Sequence, residues 1–120
     1  MKVFLDIGSH IGETLLEVTK EKYAFDKIVC FEPSKFCLDK LNKFSDEDDR
    51  IVICEFGLSN RNQEAELFQP GSLGGTIFKG QDLKSGEEKV EKIKLCDANE
   101  WFENNLSVDD YIVVKTNCER

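Results

Sequence analysis

The chain begins with an apolar run that leads through two glycines into a second apolar stretch, and the segment from Val3 to Leu16 reads VFLDIGSHIGETLL. Val3 to Ile7 has the composition of a buried β-strand, and the apolar residues after Gly12 recur at helical spacing. Glycine lets the backbone approach a ligand closely, and the N-terminus of a helix offers unpaired N–H groups. A strand, a glycine turn and a helix in this order predict an α/β fold that holds a nucleotide at the turn.

The spacing of the glycines distinguishes two classes of nucleotide-binding enzyme. The dinucleotide pattern G-x-G-x-x-G would require glycine at three places where this chain has Gly8, His10 and Glu13. Asp6 instead stands two residues before the first glycine, at the carboxyl end of the predicted strand. A carboxylate there attracts an ammonium or a sulfonium group and repels a pyrophosphate. The turn therefore favours S-adenosyl-L-methionine (SAM), which carries both cations, over a dinucleotide.

The first half of the chain alternates strand and helix, which predicts a parallel sheet with right-handed crossovers. The first helix is predicted to follow directly from the second glycine of the turn, and Lys27 to Glu32 is the second strand. Pro33 ends that strand, and Ser34 is a suitable N-cap for a second helix that stops at Asp46 to Asp49, predicted as a solvated loop. Ile51 to Leu58 is predicted as a third strand. The residues that these two helices are predicted to bury are Leu15, Leu16, either Val18 or Thr19, Cys37, Leu38, Leu41 and Phe44.

After the third strand, short strands separated by glycine-rich turns predict a small antiparallel excursion. These strands are Glu64 to Phe68, Thr76 to Lys79 and Lys89 to Cys96. Asp97 stands three residues before Glu100 in a capping-box arrangement that opens a short helix. The residues that this helix is predicted to bury are Ala98, Trp101, Phe102 and Leu106. Tyr111 to Lys115 is the last strand, and it would leave an open apolar edge suited to self-association or to further chain.

Glu32 lies at the predicted end of the second strand, beside the glycine turn, because the first two strands are neighbours. In nucleotide-binding α/β folds a carboxylate at this place can accept hydrogen bonds from both ribose hydroxyls. Together with Asp6, Gly8 and Gly12, Glu32 is therefore predicted to bind ribose, and the alternative is an exposed glutamate that merely ends a strand. Both cofactor classes use such an acid, so the glycine spacing and Asp6 decide between them.

Charge and cysteine content exclude other classes of function. The 120 residues are the length of one domain, and a net charge of −8 argues against binding the phosphate backbone of nucleic acid. The five cysteines form no C-x-x-C pair and are odd in number, which predicts reduced thiols in a cytoplasmic protein rather than disulfides or a zinc site. The sequence predicts neither a signal peptide nor a membrane span, since it lacks a charged leader and an apolar run of about 18 residues.

Six segments occur in the order and spacing of a known family. They are DIGSHIGETLL, FEPSKFCLDKL, FGLSNRNQEAELF, GSLGG, KLCDANEWF and VVKTNCE. Over essentially its whole length the chain resembles the FkbM-type family of SAM-dependent methyltransferases. The resemblance implies a Rossmann-like class I methyltransferase fold, SAM as the methyl donor, and a hydroxyl of a sugar or other small metabolite as the acceptor. It also implies that residues 1–120 are the N-terminal portion of the domain, truncated after the fourth core strand, since the family has several more strands and helices.

The resemblance also assigns residues to the cofactor. Gly8 would face the methionine part, Glu32 the ribose, and the segment Phe56 to Ser59 would border the adenine. His10 stands where the family often has Asn, and Lys115 to Arg120 match a Lys-hydrophobic-Asp-x-Glu-Gly signature beside the transferring methyl. The implied cofactor-binding residues are Asp6, Gly8, Ser9, His10, Gly12, Glu32, Pro33, Gly57 and Leu58, with no metal ligand among them.

Methyl transfer from a sulfonium is an in-line displacement that depends above all on positioning the acceptor oxygen. A base helps if the acceptor is an unactivated alcohol, and the candidate bases are His10, Glu119 and, more weakly, Asp6. Asn117 is a further candidate catalytic residue, because its amide can hydrogen-bond a substrate hydroxyl. His10 has the alternative role of a hydrogen bond to the cofactor carboxylate. Asn117 replaces the family's Asp and Arg120 its Gly, and a neutral amide is a poor proton acceptor. A SAM-binding module without turnover stays open as an alternative, as does a nucleotide-dependent oxidoreductase, which the glycine spacing disfavours.

Overall fold

The computed structural model of the chain describes residues 1–68 and 90–116. These residues form strands and helices in the alternating order of an α/β domain. The elements are β1 (Lys2–Ile7), α1 (Leu15–Val18), β2 (Lys27–Phe31), α2 (Lys35–Glu47), β3 (Ile51–Cys54), β4 (Gly57–Ser59), β5 (Gln63–Phe68), β6 (Val90–Asp97), α3 (Ala98–Asn105) and β7 (Tyr111–Thr116). The predicted strand Thr76 to Lys79 lies outside the described residues.

Four strands form a parallel sheet in the order β3-β2-β1-β7, which confirms the predicted parallel sheet. The chain runs outward from β1 to β3 and then returns to the other side of β1 with β7. The strand order therefore reverses at β1, and in open parallel sheets ligands bind outside the carboxyl ends of the strands at such a reversal. This architecture is compatible with a Rossmann-like fold. A ligand would be expected at the carboxyl ends of β1 and β7, where the strand order reverses.

Helices pack on both faces of the parallel sheet, over its central strands, while Val52 of β3 and Val114 of β7 stay exposed. One face packs against α1 and α2 through an apolar cluster that includes Phe4, Leu15 and Leu41. The other face packs against α3, where the rings of Phe31 and Trp101 meet edge to face with centroids 4.8 Å apart. Helix α3 therefore packs on this face, but the residues predicted to be buried there, Ala98, Trp101, Phe102 and Leu106, are only partly buried.

The predicted third strand, Ile51 to Leu58, is wrong in its extent. The first four residues form β3 in the parallel sheet, and Gly57–Ser59 form β4 in a second sheet of order β4-β6-β5. A Cβ atom on Gly57 would lie 2.7 Å from Cδ2 of Leu95, so glycine permits the close approach of β4 to β6. Pairing of β5 with β6 is antiparallel, as predicted, whereas β4 pairs with β6 in parallel. The excursion is thus a small mixed sheet.

The first helix is shorter than predicted and buries a narrower face. It begins at Leu15 rather than at the second glycine, because Gly12 has a left-handed backbone with φ of 95° that an α-helix does not accommodate. Leu15 and Val18 are buried, as predicted, but Leu16 is 67% exposed. A helix of four residues can turn only one side toward the sheet, and Leu16 lies on the other side.

The predicted caps of the two longer helices are confirmed in part. Ser34 Oγ accepts the N–H of Phe36 at the start of α2, and Asp97 Oδ1 accepts the N–H of Glu100 at the start of α3. The reciprocal half of the capping box is wrong, because the N–H of Asp97 donates to Asn62 Oδ1 at 2.7 Å instead of to Glu100. None of the helices that the structure describes has the length and apolarity needed to cross a membrane.

The acidic run from Asp46 to Asp49 is exposed at three of its four positions, as predicted, but it is not a loop throughout. Its first two residues form the last turn of α2, which ends at Glu47. The carboxylate of Asp48 is partly buried and lies 2.6 Å from the guanidinium of Arg50, which also donates to the carbonyl oxygens of Thr19 and Phe25. This ion pair therefore links the end of α2 to the segment between α1 and β2.

Candidate functional site

Asp6 lies at the carboxyl end of β1 and is completely buried. It stands opposite Lys115 of β7 in the strand register, and the Lys115 ammonium nitrogen is 3.5 Å from Oδ1. Neither carboxylate oxygen accepts a hydrogen bond from the residues that the structure describes. Burial raises the pKa of Asp6, and the charge of Lys115 opposes that effect. The reversal point of the sheet thus contains a buried carboxylate with unused acceptor capacity.

The turn after β1 has an unusual backbone that is tied to the end of β2. Gly8, His10 and Gly12 all have positive φ angles, of 83°, 54° and 95°. The N–H groups of Gly8 and Ser9 both donate to the carbonyl oxygen of Phe31, at 2.9 and 3.2 Å. The hydroxyl of Ser9 is buried and donates to the carbonyl oxygen of Asp6 at 2.9 Å. The alternating left-handed residues therefore fold the turn back over the carboxyl ends of β1 and β2.

Glu32 lies beside this turn, as predicted, but its carboxylate already binds two backbone amides. Oε1 accepts the N–H of His10 at 2.7 Å, and Oε2 accepts the N–H of Ser34 at 3.0 Å. Burial raises the pKa of Glu32, and these two donors oppose that effect. A carboxylate has about four acceptor sites, so both oxygens keep capacity for a further donor. Glu32 is therefore a structural clamp of the turn as well as a candidate ribose acid.

The N–H groups of the turn itself, at positions 8 to 12, are bonded within the chain rather than unpaired. The N–H of Ile11 donates to Glu13 Oε1 at 3.3 Å, and that of Gly12 donates to the carbonyl oxygen of Ser9 at 3.0 Å. The N–H groups of Gly8, Ser9 and His10 donate to Phe31 and Glu32, as described above. Every amide from position 8 to position 12 therefore has an acceptor within the described part of the chain. The helix that follows is also too short to contribute a strong dipole. A ligand would therefore be recognised by the carboxylates more than by turn amides.

Gly12 has a packing role that the motif alone does not reveal. A Cβ atom there would lie 2.6 Å from Cε2 of Phe44, so the turn rests directly on the ring of a residue in α2. Phe44 is partly buried and packs against the core beneath α1 and α2, where it was predicted. The second glycine of the motif thus fixes the turn to the helix layer, whereas Gly8 lies at the tip of β1 beside Asp6.

The segment predicted to border an adenine is part of the apolar layer. Phe56 and Leu58 pack against the cluster under α3, and the ring centroid of Phe56 lies 5.9 Å from that of Phe31. Pro33 lies next to Gly57, because a Cβ atom on that glycine would be 3.6 Å from the proline ring. The structure therefore brings Pro33, Gly57 and Leu58 to the end of β2 near Glu32.

Besides Asp6, His10 is the one candidate catalytic residue within the described residues, since Asn117 and Glu119 lie outside them, as does Arg120. Its Nδ1 is 3.4 Å from Oε2 of Glu13, and its side chain is largely buried. Slight burial acts to raise the pKa of Glu13, but hydrogen bonds and the nearby His10 lower it overall. The pair places an imidazole with a carboxylate neighbour at the mouth of the turn.

Two interactions were missed by sequence reasoning. The ion pair of Lys115 with Asp6 follows from strand order and register, and only the position of Lys115 at a strand end hinted at it. Glu91 of β6 binds the start of α2, accepting the Ser34 hydroxyl at 2.9 Å and the Lys35 N–H at 2.6 Å. No local pattern marks Glu91, because its partners are more than fifty positions away in the chain.

A cleft of about 200 Å³ lies where the second sheet meets α2. Its lining residues are Pro33, Lys35, Leu38, Glu55, Glu64, Lys92, Ile93 and Lys94. In the described residues, no group of three or more His, Cys, Asp or Glu side chains is arranged to hold a metal ion. Comparison of the chain with protein-family models, with curated proteins and with solved structures gives no match.

Proposed function

We propose that this chain binds SAM and serves the transfer of its methyl group to a hydroxyl of a sugar or other small metabolite. The observation that carries the proposal is Asp6, a fully buried carboxylate with no hydrogen bond from the described residues at the reversal point of the sheet. A buried carboxylate is stabilised by a cation, and SAM offers an ammonium and a sulfonium. The resemblance to the FkbM-type methyltransferases supplies the reaction and the class of acceptor.

The proposed arrangement of the cofactor follows the order of the site residues. Asp6 binds the ammonium, while Gly8, Ser9 and Gly12 shape the turn around the methionine part. Glu32 accepts the ribose hydroxyls with the acceptor capacity that its two amide bonds leave. Pro33, Gly57 and Leu58 form the apolar surface for the adenine. This assignment needs no phosphate-binding amides, which distinguishes it from a dinucleotide site.

When bound, SAM supplies an electrophilic methyl group on its sulfonium. Transfer of that group to a hydroxyl would depend on how precisely the residues of the chain position the acceptor oxygen. His10 takes the hydroxyl proton, and the carboxylate of Glu13 stabilises the imidazolium that results. From the resemblance, Asn117 orients the acceptor hydroxyl and Glu119 is a second candidate base.

A SAM-binding module without turnover is the second candidate function. It is favoured by Asn117 and Arg120, which depart from the family signature in the segment beside the transferring methyl. An oxidoreductase that uses a dinucleotide is less favoured, because the amides of the turn are bonded internally. We further propose a cytoplasmic location with reduced thiols, and pairing of a second copy at the exposed side of β7.

Calorimetric titration with S-adenosylhomocysteine, in parallel with NAD, tests the cofactor. The variants Asp6→Asn and Glu32→Gln keep the shape of each side chain and remove its charge, and Asp39→Asn on the exposed side of α2 is the matched control. We expect saturable binding that Asp6→Asn weakens by about tenfold or more, since a charged hydrogen bond is lost. The control should bind like the wild type. A folded chain that binds NAD, or that leaves S-adenosylhomocysteine unbound, would overturn the proposal.

Turnover separates the two candidate functions. Methyl-labelled SAM is incubated with a panel of sugars and small hydroxylated metabolites, and labelled products are detected by mass spectrometry. If His10 is the base, His10→Asn lowers kcat by about 100-fold while the affinity for S-adenosylhomocysteine is retained. Saturable binding without any labelled product would favour the module.

A further inference from the structure

The contact between Lys115 and Asp6 is a loose ion pair. The nitrogen lies 3.5 Å from Oδ1, whereas a charged N–H···O bond is usually about 2.7–2.9 Å long. The Lys115 side chain is 35% exposed, while Asp6 is completely buried. A lysine has a flexible four-carbon stem and a strongly hydrated ammonium, so it can leave this position for water at little cost. Asp6 has no comparable freedom.

Burial favours the neutral form of Asp6, and a cation close to the carboxylate favours the ionised form. Among the residues that the structure describes, Lys115 supplies the only cation within ion-pair distance of its carboxylate. The buried hydroxyl of Ser9 donates to the backbone carbonyl oxygen of Asp6. Removing the partner of a buried charge is strongly unfavourable unless another cation replaces it. If the Lys115 ammonium moved away, the Asp6 carboxylate would therefore favour the binding of another positive group in its place.

We infer that Lys115 is an internal substitute for a ligand ammonium: its own ammonium occupies the place on Asp6 that a primary ammonium of the ligand takes over on binding. This inference rests on the proposed function, which puts the ammonium of SAM at Asp6. Two ammonium groups about 4 Å apart repel each other, so both cannot occupy the buried carboxylate equally well. Lys115 lies on β7 at the reversal point of the sheet and can turn outward as the ligand enters.

Exchange of one ammonium for another makes Lys115 a determinant of specificity. A ligand that carries a primary ammonium recovers the interaction that the departing lysine gives up. A ligand without a cation would have to leave Asp6 paired with Lys115 and gains nothing at this place. The exchange also lowers the apparent affinity for the ligand, because part of its binding free energy is used to displace Lys115.

The first test uses methylammonium chloride, with sodium chloride at equal ionic strength as the comparison. The chemical shift of the Asp6 carboxyl carbon is followed by NMR in the wild type and in Lys115→Ala, which removes the internal ammonium. We expect Lys115→Ala to respond saturably at concentrations at least about tenfold lower than the wild type, since no internal cation competes. The double variant Asp6→Asn with Lys115→Ala should show no saturable shift of the side-chain carbonyl carbon at position 6. Equal responses of wild type and Lys115→Ala, or none in Lys115→Ala, would refute the inference.

If Lys115→Ala does not fold, a second variant at the same position takes its place in the test. Lys115→Met keeps most of the aliphatic stem and removes the charge. If neither variant folds, recovery of the folded state by methylammonium but not by sodium supports the inference, and failure of methylammonium to restore it counts against the inference.

The second test uses S-adenosylhomocysteine, which has a primary ammonium, and methylthioadenosine, which lacks the amino-acid part. We expect Lys115→Met to bind S-adenosylhomocysteine about tenfold more tightly than the wild type and methylthioadenosine equally well. Weaker binding of S-adenosylhomocysteine would show that Lys115 holds the ligand, which contradicts the inference. If no form binds S-adenosylhomocysteine while Lys115→Ala binds methylammonium, the proposed function fails and the ammonium site stands.

Discussion

The backbone N–H of His10 donates to Oε1 of Glu32 over 2.7 Å, and this bond joins the glycine turn to the carboxyl end of β2. The other oxygen of Glu32 accepts the N–H of Ser34 at the start of α2. One buried carboxylate thus connects the turn, the strand and the helix around the proposed cofactor site. The shape of the site and its capacity to bind ribose depend on the same side chain.

Replacing Glu32 should therefore cost stability as well as ligand affinity. Glu32→Ala leaves two amide donors without their charged acceptor, and we expect the free energy of unfolding in urea to fall by about 3 kcal/mol. Glu32→Gln retains one acceptor oxygen and should lose about half as much. Glu103→Ala, at an exposed position of α3, serves as the control and should stay within about 0.5 kcal/mol of the wild type. A Glu32→Ala variant as stable as this control would show that the clamp is unimportant.

Asp6 should make the protein relatively less stable as the pH rises. Burial raises its pKa in the folded state above the ordinary value of 3.8, so the folded state binds the proton more tightly than the unfolded state. Its contribution to stability is fully present below that value and is lost as the pH rises through the raised pKa. Asp6→Asn removes this loss.

The measurement compares the unfolding free energies of wild type and Asp6→Asn between about pH 3 and about pH 8. We expect the variant to gain stability relative to the wild type as the pH rises. The comparison isolates Asp6 because the other carboxylates are the same in both proteins. A difference that is constant across this range, or that changes in the opposite direction, would mean that Lys115 fully compensates the burial of Asp6.

Gly12 should tolerate no side chain. Its φ of 95° is unfavourable for other residues, and a Cβ atom would overlap the ring of Phe44. We expect Gly12→Ala to lower the free energy of unfolding by about 2 kcal/mol or more. Ala24→Gly is the opposite case, because exposed Ala24 has φ of 55° and glycine relieves that strain, which should raise stability by about 0.5 kcal/mol. Thermal and urea unfolding of both variants measure whether Gly12→Ala lowers the free energy of unfolding and Ala24→Gly raises it.

The buried thiols should resist alkylation in the folded protein. Burial raises the pKa of Cys30 to about 12 and that of Cys37 to about 11, so almost no thiolate forms near neutral pH. Brief treatment with iodoacetamide, followed by peptide mass spectrometry, should leave both cysteines unmodified in the native chain and modify both in urea. Rapid native labelling of Cys30 would show that the carboxyl end of β2 opens to solvent.

Strand β7 should promote self-association through its outer edge. It pairs with β1 on one side, and Tyr111 and Val114 are 66% and 49% exposed. We expect the sedimentation coefficient of the wild type to increase with concentration, and Val114→Lys to reduce that increase because charge at a sheet edge opposes pairing. Association that is unchanged by Val114→Lys would place the contact elsewhere.

Local chemistry determined much of the fold. The apolar periods predicted β1, β2, α2, α3 and β7, and single residues marked their ends: Pro33 cannot continue a strand, and the side chains of Ser34 and Asp97 cap helices through bonds only two or three residues away. Such signals depend on near neighbours in the chain, and the sequence contains them in full. The juxtaposition of the turn with Glu32 followed from them as well, since the two strands are consecutive.

Only the tertiary structure decided where the long-range partners lie. The segment after Ile51 divides between two sheets because Gly57 lets β4 approach β6, and periodicity does not reveal which strand will be the neighbour. Lys115 reaches Asp6 because β7 returns to the free side of β1, more than a hundred residues along the chain. The amides of the turn are bonded internally because left-handed residues fold it back onto β2. Strand order, register and burial arise from the packing of the whole chain, and they decide which charges of the predicted motif are left for a ligand.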